Sequence, residues 1–179
     1  MSGAEVSAGW SSDEAAGAGM VLEWRGAQAP AGPAIRSEHG NRSVAELNAR
    51  ANQLVRALRR MGLKAGDAVA LMCSYRPEFA ETIAACARGG FRMTPINWHL
   101  KGSEVGYIVD NCEAKAFIAD ARFRGSAVEA ASMAPGLVAK LAVGGPIDGF
   151  SSYDEAVEAE EGEDLSDPVL GSQMMYTSG

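Results

Sequence analysis

Six consecutive residues, Ala68-Val69-Ala70-Leu71-Met72-Cys73, carry no polar side chain, and six residues are too few for a typical globular helix. In an extended strand successive side chains point to opposite faces, so a run that is apolar at every position is buried on both. Such a strand needs a sheet covered by helices on each side. Sheets of that kind are built from parallel strands joined by helical crossovers.

The flanking sequence supplies the helices. Ser43-Val44-Ala45-Glu46 fits the S-x-x-E capping box, in which serine and glutamate each satisfy a free backbone N–H at a helix start. This predicts a helix over 44–61, with Val44, Leu47, Ala51, Leu54, Val55, Leu58 and Met61 on one face and Arg50, Arg56, Arg59 and Arg60 elsewhere. Gly62 stops it, and Lys64-Ala65-Gly66-Asp67 turns into the apolar run. Pro77 suits the first turn of a second helix, with Phe79, Ile83, Ala84 and Ala87 as its apolar face and Gly89-Gly90 as its stop. Further strands are predicted over 91–96, 116–119 and 137–143, and a short one over 173–176. Ser103 caps a third helix carrying Val105, Ile108 and Val109, a weaker Ala-rich helix covers 122–133, and Ser152-Tyr153-Asp154-Glu155 is a second capping box. Strand and helix alternate five times, the pattern of an α/β fold with a helix-flanked, mostly parallel sheet.

Composition limits the size of the core. Of the 47% hydrophobic residues 32 are alanine, which leaves 52 larger apolar or sulfur-containing side chains, enough for one core. No apolar run approaches the roughly 18 residues of a membrane span. The net charge of -7 is lopsided: residues 141–179 hold nine acidic and no basic side chains, while residues 1–140 hold 14 acidic and 16 basic ones. This argues against a nucleic-acid binder, which needs clustered cations to displace counterions from phosphates. Cys73, Cys86 and Cys112 are odd in number and widely spaced, so they suit reduced, buried thiols of a cytoplasmic protein. Residues 1–20 have neither a basic cluster nor an apolar core of a signal peptide and are expected to form a disordered leader.

Few residues suggest chemistry. The acidic run from Glu155 to Asp164 lacks calcium-loop spacing and suits a solvated helix face and linker. His39 and His99 belong to no metal or nucleophile pattern, and Gly89-Gly90 follows a helix instead of opening one, so it cannot cradle a phosphate. No metal site is expected. Tyr176-Thr177-Ser178-Gly179 is different, because a short strand runs into small hydroxyl and glycine residues whose N–H and O–H groups can surround a phosphate. Taken alone, these four residues fit a bare strand-to-turn junction better.

The order of segments adds to this. Ser43-Val44-Ala45-Glu46-Leu47, then residues 62–70, Pro77-Glu78-Phe79, Gly89-Gly90-Phe91, Pro95-Ile96-Asn97 and finally Tyr176-Thr177-Ser178-Gly179 resemble, in that order, the adenylate-forming (AMP-dependent) enzymes, and among them bacterial fatty-acid (acyl) CoA ligases. The resemblance covers residues 21–179 and implies the first α/β subdomain of the large N-terminal domain. It implies that Thr177, Ser178 and Gly179 open the ATP-phosphate loop, which in the family continues as Thr-Thr-Gly-x-Pro-Lys-Gly. It implies ATP, Mg2+ and CoA as co-substrates, with a carboxylic acid, of fatty-acid type in the branch it resembles, as the acyl donor. The remaining catalytic groups and the C-terminal domain would lie downstream, so no catalytic residue is expected here and the 179-residue chain is expected to be inactive alone and to bind none of these ligands. Apolar surface meant for missing sequence should drive self-association, with Met174, Met175 and Tyr176 the first residues to pair across chains or lose order. The competing reading is a stand-alone α/β interaction module derived from such a ligase.

Overall fold

The computed structural model describes residues 10–177. In chain order its elements are α1 (Ser12–Gly17), α2 (Val21–Gln28), β1 (Pro33–Ser37), β2 (Gly40–Ser43), α3 (Val44–Arg60), β3 (Ala68–Met72), α4 (Pro77–Gly89), β4 (Arg92–Pro95), α5 (Gly102–Asn111), β5 (Ala114–Asp120), α6 (Arg124–Met133), β6 (Ala139–Val143), β7 (Ser151–Ser152), α7 (Tyr153–Glu158) and β8 (Ser172–Gln173). A single 3-10 turn at Ala121–Phe123 joins β5 to α6. Strands β3 to β8 form one six-stranded sheet, in the order β7-β6-β5-β3-β4-β8, and every pairing in it is parallel. Strands β1 and β2 form a separate antiparallel hairpin.

The doubly apolar run behaves as its pattern demands. Val69, Leu71 and Cys73 join the core under α3, α4 and α7, while Ala70 and Met72 join the core under α5. Strand β5 repeats the division, with Ala116 and Ile118 on one side and Phe117 and Ala119 on the other. Helix α3 starts on the expected capping box: Ser43 Oγ accepts from the Glu46 N–H at 3.2 Å, and Glu46 Oε2 accepts from the Ser43 N–H at 2.7 Å. Leu47, Ala51, Leu54, Val55 and Leu58 of its apolar face are buried.

Several expectations need correction. The leader over residues 1–20 is not uniformly without structure: Ser11 and Glu14 form a capping box that opens α1, and Ala15 and Met20 are fully buried. Residues 1–9 of that leader lie outside the described residues. Helix α5 starts from Lys101, whose N–H donates to Glu104 Oε2 at 2.8 Å, so Ser103 is inside the helix and not its cap. The last strand is Ser172–Gln173, and Met174 to Tyr176 continue past it with one more bond, from Met174 N–H to the Met93 carbonyl at 2.9 Å.

The buried face of α4 also differs from the predicted one. Phe79, Ile83 and Ala84 are only half-buried, while Glu81, Thr82 and Arg88 are fully buried. Hydrophobicity alone misplaces this face because polar partners await it. Glu81 meets Arg42 Nε at 2.8 Å, Arg50 Nε at 3.3 Å and the Tyr153 hydroxyl at 2.9 Å. This one carboxylate ties the β1–β2 hairpin, α3, α4 and α7 together.

Most carboxylates of the acidic run are exposed, as a solvated helix face and linker should be, but its backbone is tied down. After α7 it crosses the basic side of α3 as a strap. Arg56 Nη1 donates to the Glu161 and Glu163 carbonyls at 2.8 and 2.7 Å, Arg59 pairs with Asp167 at 2.9 Å, and Arg60 pairs with Glu160 at 2.9 Å. Of the arginines that fell outside the apolar stripe, Arg50, Arg59 and Arg60 pair with carboxylates of the acidic last fifth, while Arg56 holds its backbone. The strap's destination is β8, on the opposite sheet edge from β7.

Candidate functional site at the carboxyl rim

Because all six strands are parallel, their carboxyl ends share one rim. The chain passes from β3 to β4 on one side, then crosses back to β5 on the other, so connections leave β3 and β5 in opposite directions and open a crevice between them. Ser74-Tyr75-Arg76 follow β3 there and Asp120 ends β5. Ser74 Oγ donates to Asp120 Oδ2 at 2.5 Å, and Asp120 Oδ1 accepts from the Arg122 N–H at 2.9 Å. Both Ser74 and Asp120 are buried, so this bond fixes the spacing of the two strand ends and the direction in which the next residues leave.

What leaves is cationic. Two adjoining clefts of about 530 and 310 Å³ open at the crevice and share His39, Arg76 and Arg122. Arg36 lines the first, beside Glu38, and Arg124 lines the second with Gly144 and Gly145. Arg76 Nε lies 3.3 Å from Glu78, but among the described residues Arg36, Arg122 and Arg124 form no ion pair. A chain of net charge -7 therefore presents a positive pole at this rim. Gly144 has φ +72, and an added Cβ would lie 2.8 Å from the Arg76 guanidinium carbon, so the glycine makes room for that arginine. Burial, followed by the Asp120 charge, holds the Cys73 thiol well above the ordinary thiol range, so it is no nucleophile at neutral pH.

An aromatic group borders the cations. Trp98, which follows β4, meets Tyr75 edge-on at 5.1 Å and stacks with Phe123 at 6.1 Å. Tyr75 is 83% exposed, an unusual position for a tyrosine that only packs.

Thr177 is exposed at the same rim, beyond β8, and Ser178 and Gly179 lie outside the described residues. Strand β8 is two places from β3 in the sheet, and Thr177 follows it by four residues. Tyr176 is anchored by its hydroxyl, which donates to Asn111 Oδ1 at the end of α5 at 2.6 Å. His39 comes into the cleft from the hairpin, whereas His99 stays exposed beside Trp98. Among the described residues no group of three or more His, Cys, Asp or Glu side chains converges as a metal site. A further cleft of about 400 Å³ sits at the amino ends of the strands, with Asp67, Asp110, Glu113, Arg92 and Lys115 in its wall, away from the loop.

Sequence reasoning singled out Thr177 and did not single out Ser74, Arg76, Asp120, Arg122 and Arg124. The signal was available: each is among the first polar residues after a doubly apolar strand, which in a parallel sheet places it at the carboxyl rim.

The profile of the AMP-binding enzyme family matches residues 22–179. An indoleacetate–CoA ligase of Aromatoleum aromaticum is 30% identical over 154 residues, covering 84% of this chain and 30% of that protein. A feruloyl-CoA synthase of an Amycolatopsis species is 30% identical over 157 residues, covering 87% of this chain and 29% of that protein. Among solved structures, an anthranilate CoA ligase in complex with anthranoyl-AMP superposes with a TM-score of 0.83 at 22% identity, over 91% of this chain and 32% of that one. A Mycobacterium tuberculosis fatty acyl CoA synthetase superposes with a TM-score of 0.80 at 23% identity, over 93% and 33%. The chain thus spans about a third of the length of these relatives.

Proposed function

We propose that this chain, which belongs to the AMP-binding enzyme family, is the amino-terminal part of an acid–thiol ligase that joins a carboxylic acid to CoA through an acyl-adenylate. In the first step a carboxylate oxygen attacks the α-phosphorus of Mg-ATP, and the bond to the β-phosphate oxygen breaks to release pyrophosphate. In the second the CoA thiol attacks the acyl carbon, its proton is lost, and AMP departs. Thr177, Ser178 and Gly179 begin the loop whose N–H and O–H groups meet the ATP phosphates.

The observation that carries this reading is the family match, which extends to residue 179, and the cationic crevice at the carboxyl ends of β3 and β5 supports it. ATP and CoA are both polyanions, and Arg36, Arg122 and Arg124 offer charge that no carboxylate of the described chain takes up. The acid is a fatty or aryl carboxylic acid. The names of the relatives range over indoleacetate, 4-hydroxybutyrate and ferulate, and no one of them is carried over to this chain. No helix among the described residues is long and apolar enough to cross a membrane, and we place the ligase in the cytoplasm.

The chain alone lacks about two thirds of the length of its relatives, and we infer that it does not catalyse either step. Val169, Leu170 and Met175, exposed around the last strand, would drive it to self-associate, and a strictly monomeric light-scattering profile at high concentration would contradict that. The decisive test is acid-dependent ATP–pyrophosphate exchange, measured for the 179-residue chain and for the product of the reading frame extended past Gly179. Exchange is expected only from the extended product, with Thr-Thr-Gly-x-Pro-Lys-Gly in the continuation. Exchange by the short chain, or a frame that closes at Gly179, overturns the reading and favours an interaction module.

A further inference from the structure

Away from the rim lies a buried cation that the ligase reading does not use. Arg88, one residue before the end of α4, is fully buried, and its Nη1 donates to Asn48 Oδ1 and Asn52 Oδ1, each at 2.6 Å. The Nδ2 groups of the same two asparagines donate to a single atom, Asp164 Oδ1, at 2.7 and 3.0 Å. Two amides in parallel therefore join a buried guanidinium to a carboxylate on the strap. Each accepts from the cation and donates to the anion, which fixes its orientation.

The arrangement is costly unless it accomplishes something. Arg88 Nε and Nη2 have no hydrogen-bond partner among the described residues. Burial lowers the Arg88 pKa to about 10, against the opposing charges of Asp164 and of Glu23 on α2. A buried cation of this kind is weak evidence for stability, and its best-attested use is to specify one arrangement over others.

The backbone of the same residue indicates which arrangement. The Arg88 carbonyl accepts from the Val169 N–H at 2.9 Å, and the neighbouring Ala87 carbonyl accepts from Gly171 N–H at 2.8 Å. Arg88 thus holds the strap twice, at Asp164 through its side chain and at Val169 through its carbonyl. At Gly171 the chain lies so close to the Cys86 carbonyl that no side chain fits. Strand β8 follows at once and pairs with β4 over only Ser172 and Gln173, too few to hold a strand in place unaided.

We propose that Arg88 is a positioning residue which, through Asn48 and Asn52, fixes Asp164 and so seats the strap that delivers β8 and Thr177 to the carboxyl rim. Only the catalytic meaning of this rests on the ligase reading; the seating itself involves no nucleotide.

Amide hydrogen exchange on the 179-residue chain tests it, with D164A, R88M and the double variant. In D164A the Val169, Gly171, Ser172 and Met174 amides should exchange about tenfold faster or more, while β3 and β5 amides keep their protection, the signature of a local opening. R88M should do the same. The double variant should exchange no faster than either single one, because both break one relay. Since Asp164 is exposed, D164A alone decides the question if R88M does not fold. Wild-type exchange of the β8 amides in D164A, or additive effects in the double variant, overturns the proposal. Failure of ATP–pyrophosphate exchange by the extended product would sink the ligase reading and leave these rates untouched.

Discussion

Glu81→Ala should be the most damaging single substitution in the packing of α4. The carboxylate is fully buried and accepts from three donors on three elements: Arg42 Nε at 2.8 Å, Arg50 Nε at 3.3 Å and Tyr153 Oη at 2.9 Å. The donors do not suffer equally when it is removed. Arg50 keeps Asp154, at 2.6 Å, and Arg42 is 22% exposed, so water relieves it in part. Tyr153 is fully buried and has no other hydrogen-bond acceptor among the described residues, so its hydroxyl is stranded at a cost of about 1–3 kcal/mol. Adding the loss of compensation for two partly buried guanidinium groups brings the total to about 3–5 kcal/mol. Urea denaturation followed by circular dichroism measures it. Tyr153→Phe alone should cost about 1.5–3 kcal/mol, the range for a hydrogen bond to a charged group. Glu81→Ala should then cost less when Tyr153→Phe is already in place, because no hydroxyl is left to strand. A loss below about 1 kcal/mol for Glu81→Ala, or strict additivity in the cycle, would refute the argument that this carboxylate is the junction of the four elements.

Two further outcomes follow from burial. Leu58, fully buried on α3, should cost about 2–5 kcal/mol when cut to alanine, and an unchanged urea midpoint would show that its stripe faces solvent. The thiols give an alkaline limit. Burial raises Cys73 and Cys86 above their ordinary value of 9.0, so the unfolded chain ionises first. Stability conferred by the neutral thiols is complete below pH 9 and falls above it, by up to about 1.4 kcal/mol per pH unit for each thiol. The informative window is pH 9 to 10, because above about 10 Arg88 loses its proton in the folded state and adds a slope of opposite sign. Replacing Cys73 and Cys86 together by alanine should flatten the fall, and an unchanged slope would exclude them as its source.

The elements legible in the sequence were those whose signal is local. A strand apolar on both faces, a capping box and a proline at a first turn each specify their structure within a few residues, and β3, α3 and α4 start where those signals stand. What escaped depends on partners distant in the chain. The polar buried face of α4 is unreadable without knowing that Arg42, Arg50 and Tyr153 converge on Glu81. That the solvated acidic strap is tied down emerges only when α3 is placed beneath it, and the β1–β2 hairpin has no alternating apolar pattern to announce it. At the rim, Thr177 was singled out through resemblance to a loop, whereas Ser74, Asp120 and the arginines near them become a group only when strand order brings the ends of β3 and β5 together.

The pairing of β8 with β4 has a consequence for synthesis. Met93 and Gln173 stand 80 positions apart, whereas β3 and β4, at Ala68 and Arg92, stand 24 apart. Loop closure over the longer distance is entropically dearer, and it is gained only once the chain between has folded and the strap has a surface to cross. On a ribosome, where segments fold as they emerge, the edge that presents Thr177 would be the last part of this sheet to be completed. An unfinished chain then holds a covered core and an exposed β4 edge before β8 is in place, and it is the acidic strap that ends that interval.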